Sequence, residues 1–184
     1  GTANNTGIRL ELNVFNTSVV NNSIHTNGSA QNNTGISLLR NALENLVENN
    51  TIVTNGTANN TGIYLGHVAN NNTIFNNNIT TNGTDVANYG IFLVNVSNGN
   101  IIHRNTITTN GSANSSGIVL YADAHNNSVF NNTIVTISSG DGSAGVFLFG
   151  PAWNNTVRNN TIRAMNGTAN NTGIRLELNV FNTT

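Results

Sequence analysis

A glycine followed by isoleucine or valine returns at Gly7, Gly35, Gly62, Gly90, Gly117, Gly145 and Gly173, in steps of 27 or 28 residues. A fixed period of this size means one supersecondary unit copied along the chain, so the fold has to be a stack of units rather than a single closed core. A longer identity lies over it. Gly1 to Thr17, GTANNTGIRLELNVFNT, reappears letter for letter as Gly167 to Thr183, 166 residues on. Turn and core requirements fix residue types rather than every exposed side chain, so an identity of this length reads as duplication. Residues 1–184 are expected to be a single slice of a tandem array: one six-unit period, then 167–183 repeating 1–17.

Within each unit the apolar residues keep their places. Ile8, Leu10, Val19 and Ile24 of the first unit become Ile36, Leu38, Val47 and Ile52, then Ile63, Leu65, Ile74 and Ile79, then Ile91, Leu93, Ile102 and Ile107. The last two sets are Ile118, Leu120, Val129, Ile134 and Val146, Leu148, Val157, Ile162. Three short segments rich in β-branched residues, separated by Asn and Gly, predict three strands per unit and no helix. Stacked about 4.8 Å apart, the units would form three parallel sheets with aliphatic ladders pointing inward, and six would rise roughly 29 Å. The four or five inward aliphatics of one unit, each contributing about 1.5–3 kcal/mol when buried, fall short of the backbone entropy of ordering the unit, about 1–2 kcal/mol per residue. Neighbours are obligatory.

Charged residues make up only 7% of the chain, the formal net charge is −1 and lysine is absent. No basic surface exists to attract a phosphate backbone, which argues against a nucleic-acid partner. Asparagine supplies about a quarter of the residues, so something other than charge must hold water at the surface. Without cysteine there is neither a disulfide framework nor a thiolate metal site. No apolar run approaches the roughly 18 residues of a membrane span.

One Asn recurs in all six units between the second and third strands: Asn22, Asn50, Asn77, Asn105, Asn132 and Asn160. Asn tolerates left-handed backbone angles and bonds its own backbone, so this column is expected to be a ladder of stacked turn amides. The pairs Asn27-Gly28, Asn55-Gly56, Asn82-Gly83, Asn110-Gly111 and Asn166-Gly167 predict a second corner that needs positive φ.

The string G-I-x-L followed by N-N-T-[VI]-x-N-N-T-I runs through essentially the whole chain. It resembles the right-handed parallel β-helix repeats of the carbohydrate-binding and sugar-hydrolase family, of the kind also found in archaeal and bacterial surface proteins. The resemblance implies the right-handed winding. It leaves function open, because the family includes pectin-degrading enzymes, epimerases, tailspikes, copper-delivery proteins and structural arrays.

Acid-base material is scarce. The acids are Glu11, Glu44, Glu48, Asp85, Asp123, Asp141 and Glu177, the last repeating Glu11, and none has an acidic equivalent in the coil beside it to give the carboxylate pair that glycoside hydrolysis requires. His25, His67, His103 and His125 occupy four different places in the unit, so isolated surface histidines are expected rather than three or four convergent metal ligands. Thr106, Thr108, Thr133 and Thr161 stand on outer positions of the third strand, but His25, Val53, Val135 and Arg163 interrupt what an ice-binding threonine lattice would need. The chain is read as no enzyme, with no cofactor and no metal.

The strongest signal beyond the fold is Asn-x-Ser/Thr, the acceptor pattern for N-glycosylation in a secreted chain. The candidates are Asn4, Asn16, Asn21, Asn27, Asn32, Asn49, Asn55, Asn59, Asn71, Asn78, Asn82, Asn95, Asn110, Asn114, Asn126, Asn131, Asn154, Asn159, Asn166 and Asn170. Asn21, Asn49, Asn76, Asn131 and Asn159 form a column beside the constant one, with Arg104 in the remaining place, which argues that this column faces water. The plain alternative is that Ser and Thr serve only as β-compatible spacers. A second exposed feature is expected on the first strand, whose outward residues include Tyr64, Phe92, Val94, Val119, Tyr121, Phe147 and Phe149. Such a stripe is seldom left bare. It is read as a lateral contact with another rod or a platform for sugars, unless the chain's own Val14, Phe15 and Trp153 cover it.

Together these features predict an all-β, right-handed parallel β-helix solenoid of about six coils with three short strands per coil. The expected role is a structural filament or cell-surface polymer, extracellular and heavily N-glycosylated, whose partners are copies of itself and covalent glycans. A carbohydrate-binding adhesin or tailspike-like module is the competing class.

Overall fold

In a computed structural model describing residues Gly1–Thr184, the chain winds as a parallel β-helix of six coils and the beginning of a seventh. The first sheet stacks Thr6–Glu11, Thr34–Leu39, Thr61–Gly66, Tyr89–Val94, Ser116–Tyr121, Ala144–Phe149 and Thr172–Glu177. The second stacks the three-residue strands Ser18–Val20, Leu46–Glu48, Thr73–Phe75, Ile101–His103, Ser128–Phe130 and Thr156–Arg158. Ser23–Asn27, Thr51–Gly56, Asn78–Gly83, Thr106–Gly111, Thr133–Ser138 and Thr161–Met165 form the third. No helix long and apolar enough to cross a membrane is present.

Every inward aliphatic predicted from the repeat pairs with its equivalent one coil away. Ile63 lies against Ile36 and Ile91, Ile74 against Val47 and Ile102, and Ile79 against Ile52 and Ile107. From Ile36 through Leu148 these side chains are sealed from solvent and join in one continuous core. Two further inward columns complete the section. Ala42, Ala69, Ala124 and Ala152 line the bend after the first sheet, and Thr26, Thr54, Thr81, Thr109 and Thr136 stand beside the isoleucines of the third. The hydroxyls of these threonines have no hydrogen-bond partner.

The recurring glycine is fixed by space. A Cβ on Gly62 would overlap the Cγ2 methyl of Ile79 and come within 2.6 Å of the Gly90 carbonyl oxygen in the next coil. The Asn-Gly pairs correct the positive-φ expectation. Gly28, Gly56, Gly83 and Gly111 do not have left-handed backbone; they close or follow the third-sheet strands, and of the five pairs only Asn166 has positive φ, at 65°. A side chain on any of these four would strike the next corner residue, Asn33, Asn60, Asn88 or Ser115. The glycine makes room for an amide.

Candidate functional site: the asparagine corners and the aromatic face

Unlike the bend directly after the first sheet, the three corners that lead into the three sheets all use one device. A residue with left-handed backbone comes first, a buried amide second, and the first residue of a strand third. Between the second and third sheets the left-handed residues are Asn21, Asn49, Asn76, Arg104, Asn131 and Asn159, with φ of 53–60°. The left-handed angle expected at Asn22, Asn50, Asn77, Asn105, Asn132 and Asn160 therefore belongs to the residue before each of them, because the ladder amide must point inward while its neighbour reverses the chain. The ladder itself is as expected. Nδ2 of Asn22, Asn50, Asn77, Asn105 and Asn132 donates to Oδ1 of the next member at 2.9–3.0 Å.

Two more ladders escape the sequence reading. Asn45, Asn72, Asn100, Asn127 and Asn155 link at 3.0–3.2 Å at the corner before the second sheet. Asn5, Asn33, Asn60 and Asn88 link at 2.7–2.9 Å before the first, and Ser115 and Ser143 carry that column on through backbone donors. A signal for them exists: most of these residues are the second Asn of an Asn-Asn-Ser/Thr triplet. Each amide joins three coils. Asn77 Oδ1 accepts the backbone N–H and the Nδ2 of Asn50, while its own Nδ2 donates to Asn105 Oδ1 and to the Val47 carbonyl. Buried amides in such chains polarise one another, and losing one strands several buried partners at about 1–3 kcal/mol each.

Most of the acceptor patterns follow from the same device. Left-handed Asn, ladder Asn and a strand-opening Thr or Ser spell Asn-Asn-Thr, so structure alone demands many of them. Their placement is nonetheless uniform: of the twenty candidates, Asn55 and Asn82 are half-buried and the other eighteen are exposed. Asn182 adds a further pattern, also exposed and left-handed. Asn27, Asn55, Asn82, Asn110 and Asn166 stand apart, because the hydroxyl residues that complete their patterns, Ser29, Thr57, Thr84, Ser112 and Thr168, lie outside the strands.

On the outer face of the first sheet, Tyr64, Tyr89, Phe92, Tyr121, Phe147 and Phe149 form a chain of rings with centroids 5.0–6.5 Å apart. Val94 and Val119, expected in the exposed stripe, are buried. Val119 lies in register between Phe92 and Phe147 and Val94 beside Tyr121, so the longer rings close over them. Burial raises the phenol pKa of Tyr64 and Tyr89. A groove of about 340 Å³ runs between the rings and the corner that leads into this sheet. The cover by Trp153 is not formed: its ring stacks on His125, 4.1 Å away. Val14–Phe15 and Ala42–Leu43 pair with each other in a two-stranded sheet beyond the first-sheet strands.

The histidines are less isolated than their scatter in the repeat implies. His103 is sandwiched between Phe75 and Phe130 at 4.5 and 4.9 Å on the second sheet, in a column that Arg158 ends by lying 4.5 Å over Phe130. Desolvation first, then the Arg104 charge, lowers the pKa of His103. Desolvation also lowers that of His125, with Asp123 opposing. Glu11 binds Arg9 at 2.6 Å and Arg40 at 2.9 Å, and the Arg9 hydrogen bond above all lowers its pKa. No three His, Asp or Glu side chains converge.

The family model described as a right-handed β-helix region matches residues 32–162. No curated protein and no solved structure matches the chain. The matched span covers most of the six coils, and the chain belongs to the right-handed β-helix family.

Proposed function

We propose that the protein is the shaft of an extracellular or cell-surface polymer, a β-helix rod extended by tandem repetition, N-glycosylated along its length and without a catalytic role. Register carries this reading. The second copy enters with Thr172, Ile174 and Leu176 paired to Ala144, Val146 and Leu148, as Thr34, Ile36 and Leu38 pair with Thr6, Ile8 and Leu10. A 166-residue period that returns at the same phase of the coil can be repeated without breaking a ladder. Its partners are further copies of itself along the axis, and it takes no cofactor and no nucleic acid.

The glycan coat is supported by the exposure of eighteen of the twenty candidate Asn residues and by the five Asn-Gly pairs, whose completing hydroxyl residues lie outside the strands. It would supply the hydration that a chain with 7% charged residues lacks. Imaging of the native assembly tests the reading. A rod with an axial repeat of about 29 Å per period and side density at exposed Asn supports it, whereas a discrete particle with the mass of bare polypeptide overturns it.

The aromatic groove favours one second reading, a carbohydrate-binding adhesin or tailspike-like module of the sort its family resemblance allows. Binding of a short soluble form to a glycan array, with loss on Phe92→Ser, would select that reading over the polymer.

A further inference from the structure

Asn114 lines the groove beside the aromatic rings, at a place where its column has no asparagine on either side. It belongs to the left-handed column leading into the first sheet, where its neighbours one coil away are Ala87 at φ 60° and Gly142 at φ 76°. Elsewhere in that column Asn32 donates to Asn4 at 3.1 Å, and in the corner between the second and third sheets Asn76 donates to Asn49 at 2.5 Å. With alanine and glycine beside it, the Asn114 side chain has no hydrogen-bond partner in the protein. It lies across Gly142, where a Cβ would overlap its Oδ1. The space left by the two small residues opens into the groove over Phe92, Tyr121 and Phe147, whose volume of about 340 Å³ falls at the lower end of the range for small-ligand sites.

Resting on the reading of a glycosylated rod, we propose that Asn114 carries an N-linked glycan whose first sugars fold back into this groove and cover the aromatic stripe. One face of a pyranose ring presents only C–H groups, electropositive and apolar, which suit the negative face of an aromatic ring. Covering the stripe removes a patch that monomers seldom expose. The donor is a lipid-linked sugar pyrophosphate. A bond forms from Asn114 Nδ2 to C1 of the sugar as the C1–O bond breaks, the pyrophosphate carrier leaves with the bonding pair, and one amide proton passes to the transferase's base. Ser116, which completes the acceptor pattern, is buried in the folded coil, so transfer precedes the stacking of this coil.

The test uses the full chain made in an N-glycosylating host, with Asn114→Gln, Ser116→Val and, at a corner away from the stripe, Asn131→Gln. Glycopeptide mass spectrometry reads occupancy, nuclear magnetic resonance reads the sugar ring protons, and an apolar fluorescent dye reads the exposed stripe. The expected result is a glycan at Asn114 with ring protons shifted upfield, and a several-fold rise in dye binding for Asn114→Gln and Ser116→Val but not for Asn131→Gln. Ser116→Val keeps Asn114, so its agreement separates loss of the sugar from backbone strain at φ 49°. A bare Asn114 beside a modified Asn131 overturns this proposal and leaves the glycosylated rod standing, whereas a chain with no glycan at any Asn overturns both. Modified Asn114 with unshifted sugar protons, or glycosylated rods that bundle until Phe147→Ser disperses them, also overturns it.

Discussion

Asn131 and Asn132 are adjacent and chemically identical, and the fold uses them in opposite ways. The first is exposed with φ 55°, where an Asn side chain relieves a conformation that costs most L-residues about 1–2 kcal/mol. The second is buried in a ladder. One coil earlier the same division falls to Arg104 and Asn105, with φ 55° at the arginine, so the left-handed site tolerates another side chain and the ladder site does not vary. Asn105→Ala would strand the backbone N–H and Nδ2 of Asn77 and the carbonyl of Ile74. It is expected to cost about 3 kcal/mol or more, read as a shift in the denaturation midpoint. Asn131→Gly should stay within about 0.5 kcal/mol of the parent, and Asn131→Val should cost about 1–2 kcal/mol.

At the scale of the strand, what matters is how closely equivalent positions meet across the sheet. Gly62→Ala puts a methyl against Ile79 and the Gly90 backbone, and a backbone carbonyl held in a ladder cannot swing aside. The expected loss is about 1–3 kcal/mol by overpacking, seen as a lower melting temperature, despite alanine's smaller unfolded-state entropy. The Phe75, His103, Phe130 column adds a pH dependence. Because the fold lowers the His103 pKa, the unfolded chain binds the proton more readily, and stability falls as pH drops below the unfolded value near 6.5 toward the lowered folded value. Below that the penalty is constant. His103→Phe, which continues the ring column, should flatten the loss that sets in as pH falls through about 6.5 in melting curves, leaving the part that His125 contributes in the same direction.

At the scale of the whole molecule, each coil contacts only its neighbours, so length is adjustable in units of one coil and in no smaller step. Deleting residues 78–105 joins Asn77 directly to Thr106, the same junction that Asn105 makes in the parent, and every ladder stays in register. That chain is expected to keep its β-sheet circular dichroism and a cooperative melt. Deleting residues 78–91 instead joins Asn77 to Phe92, bringing a first-sheet strand where a third-sheet strand belongs, and should abolish the cooperative transition. Survival of the second deletion, or collapse of the first, would contradict the coil assignment.

The period of the sequence was enough to determine the coil, its three strands and the inward aliphatics of those strands, though not the alanine column at the bend after the first sheet, because a parallel stack forces equivalent residues into register and leaves one face of each strand to the core. It also placed one Asn ladder and brought out the acceptor pattern. Away from the corner where Arg104 marks the outer column, composition could not say which Asn of a pair turns inward, since both members of Asn-Asn-Thr suit a turn. Nor could it show that Gly28 and Gly56 yield space to Asn33 and Asn60 rather than adopting positive φ. The packing of one coil on the next decided those points. It also brought His103 between two phenylalanines, sent Trp153 to His125, buried Val94 and Val119 beneath longer rings, and opened the groove beside Asn114. Those relations lie between coils, where side-chain size and direction act across the stack rather than along the chain.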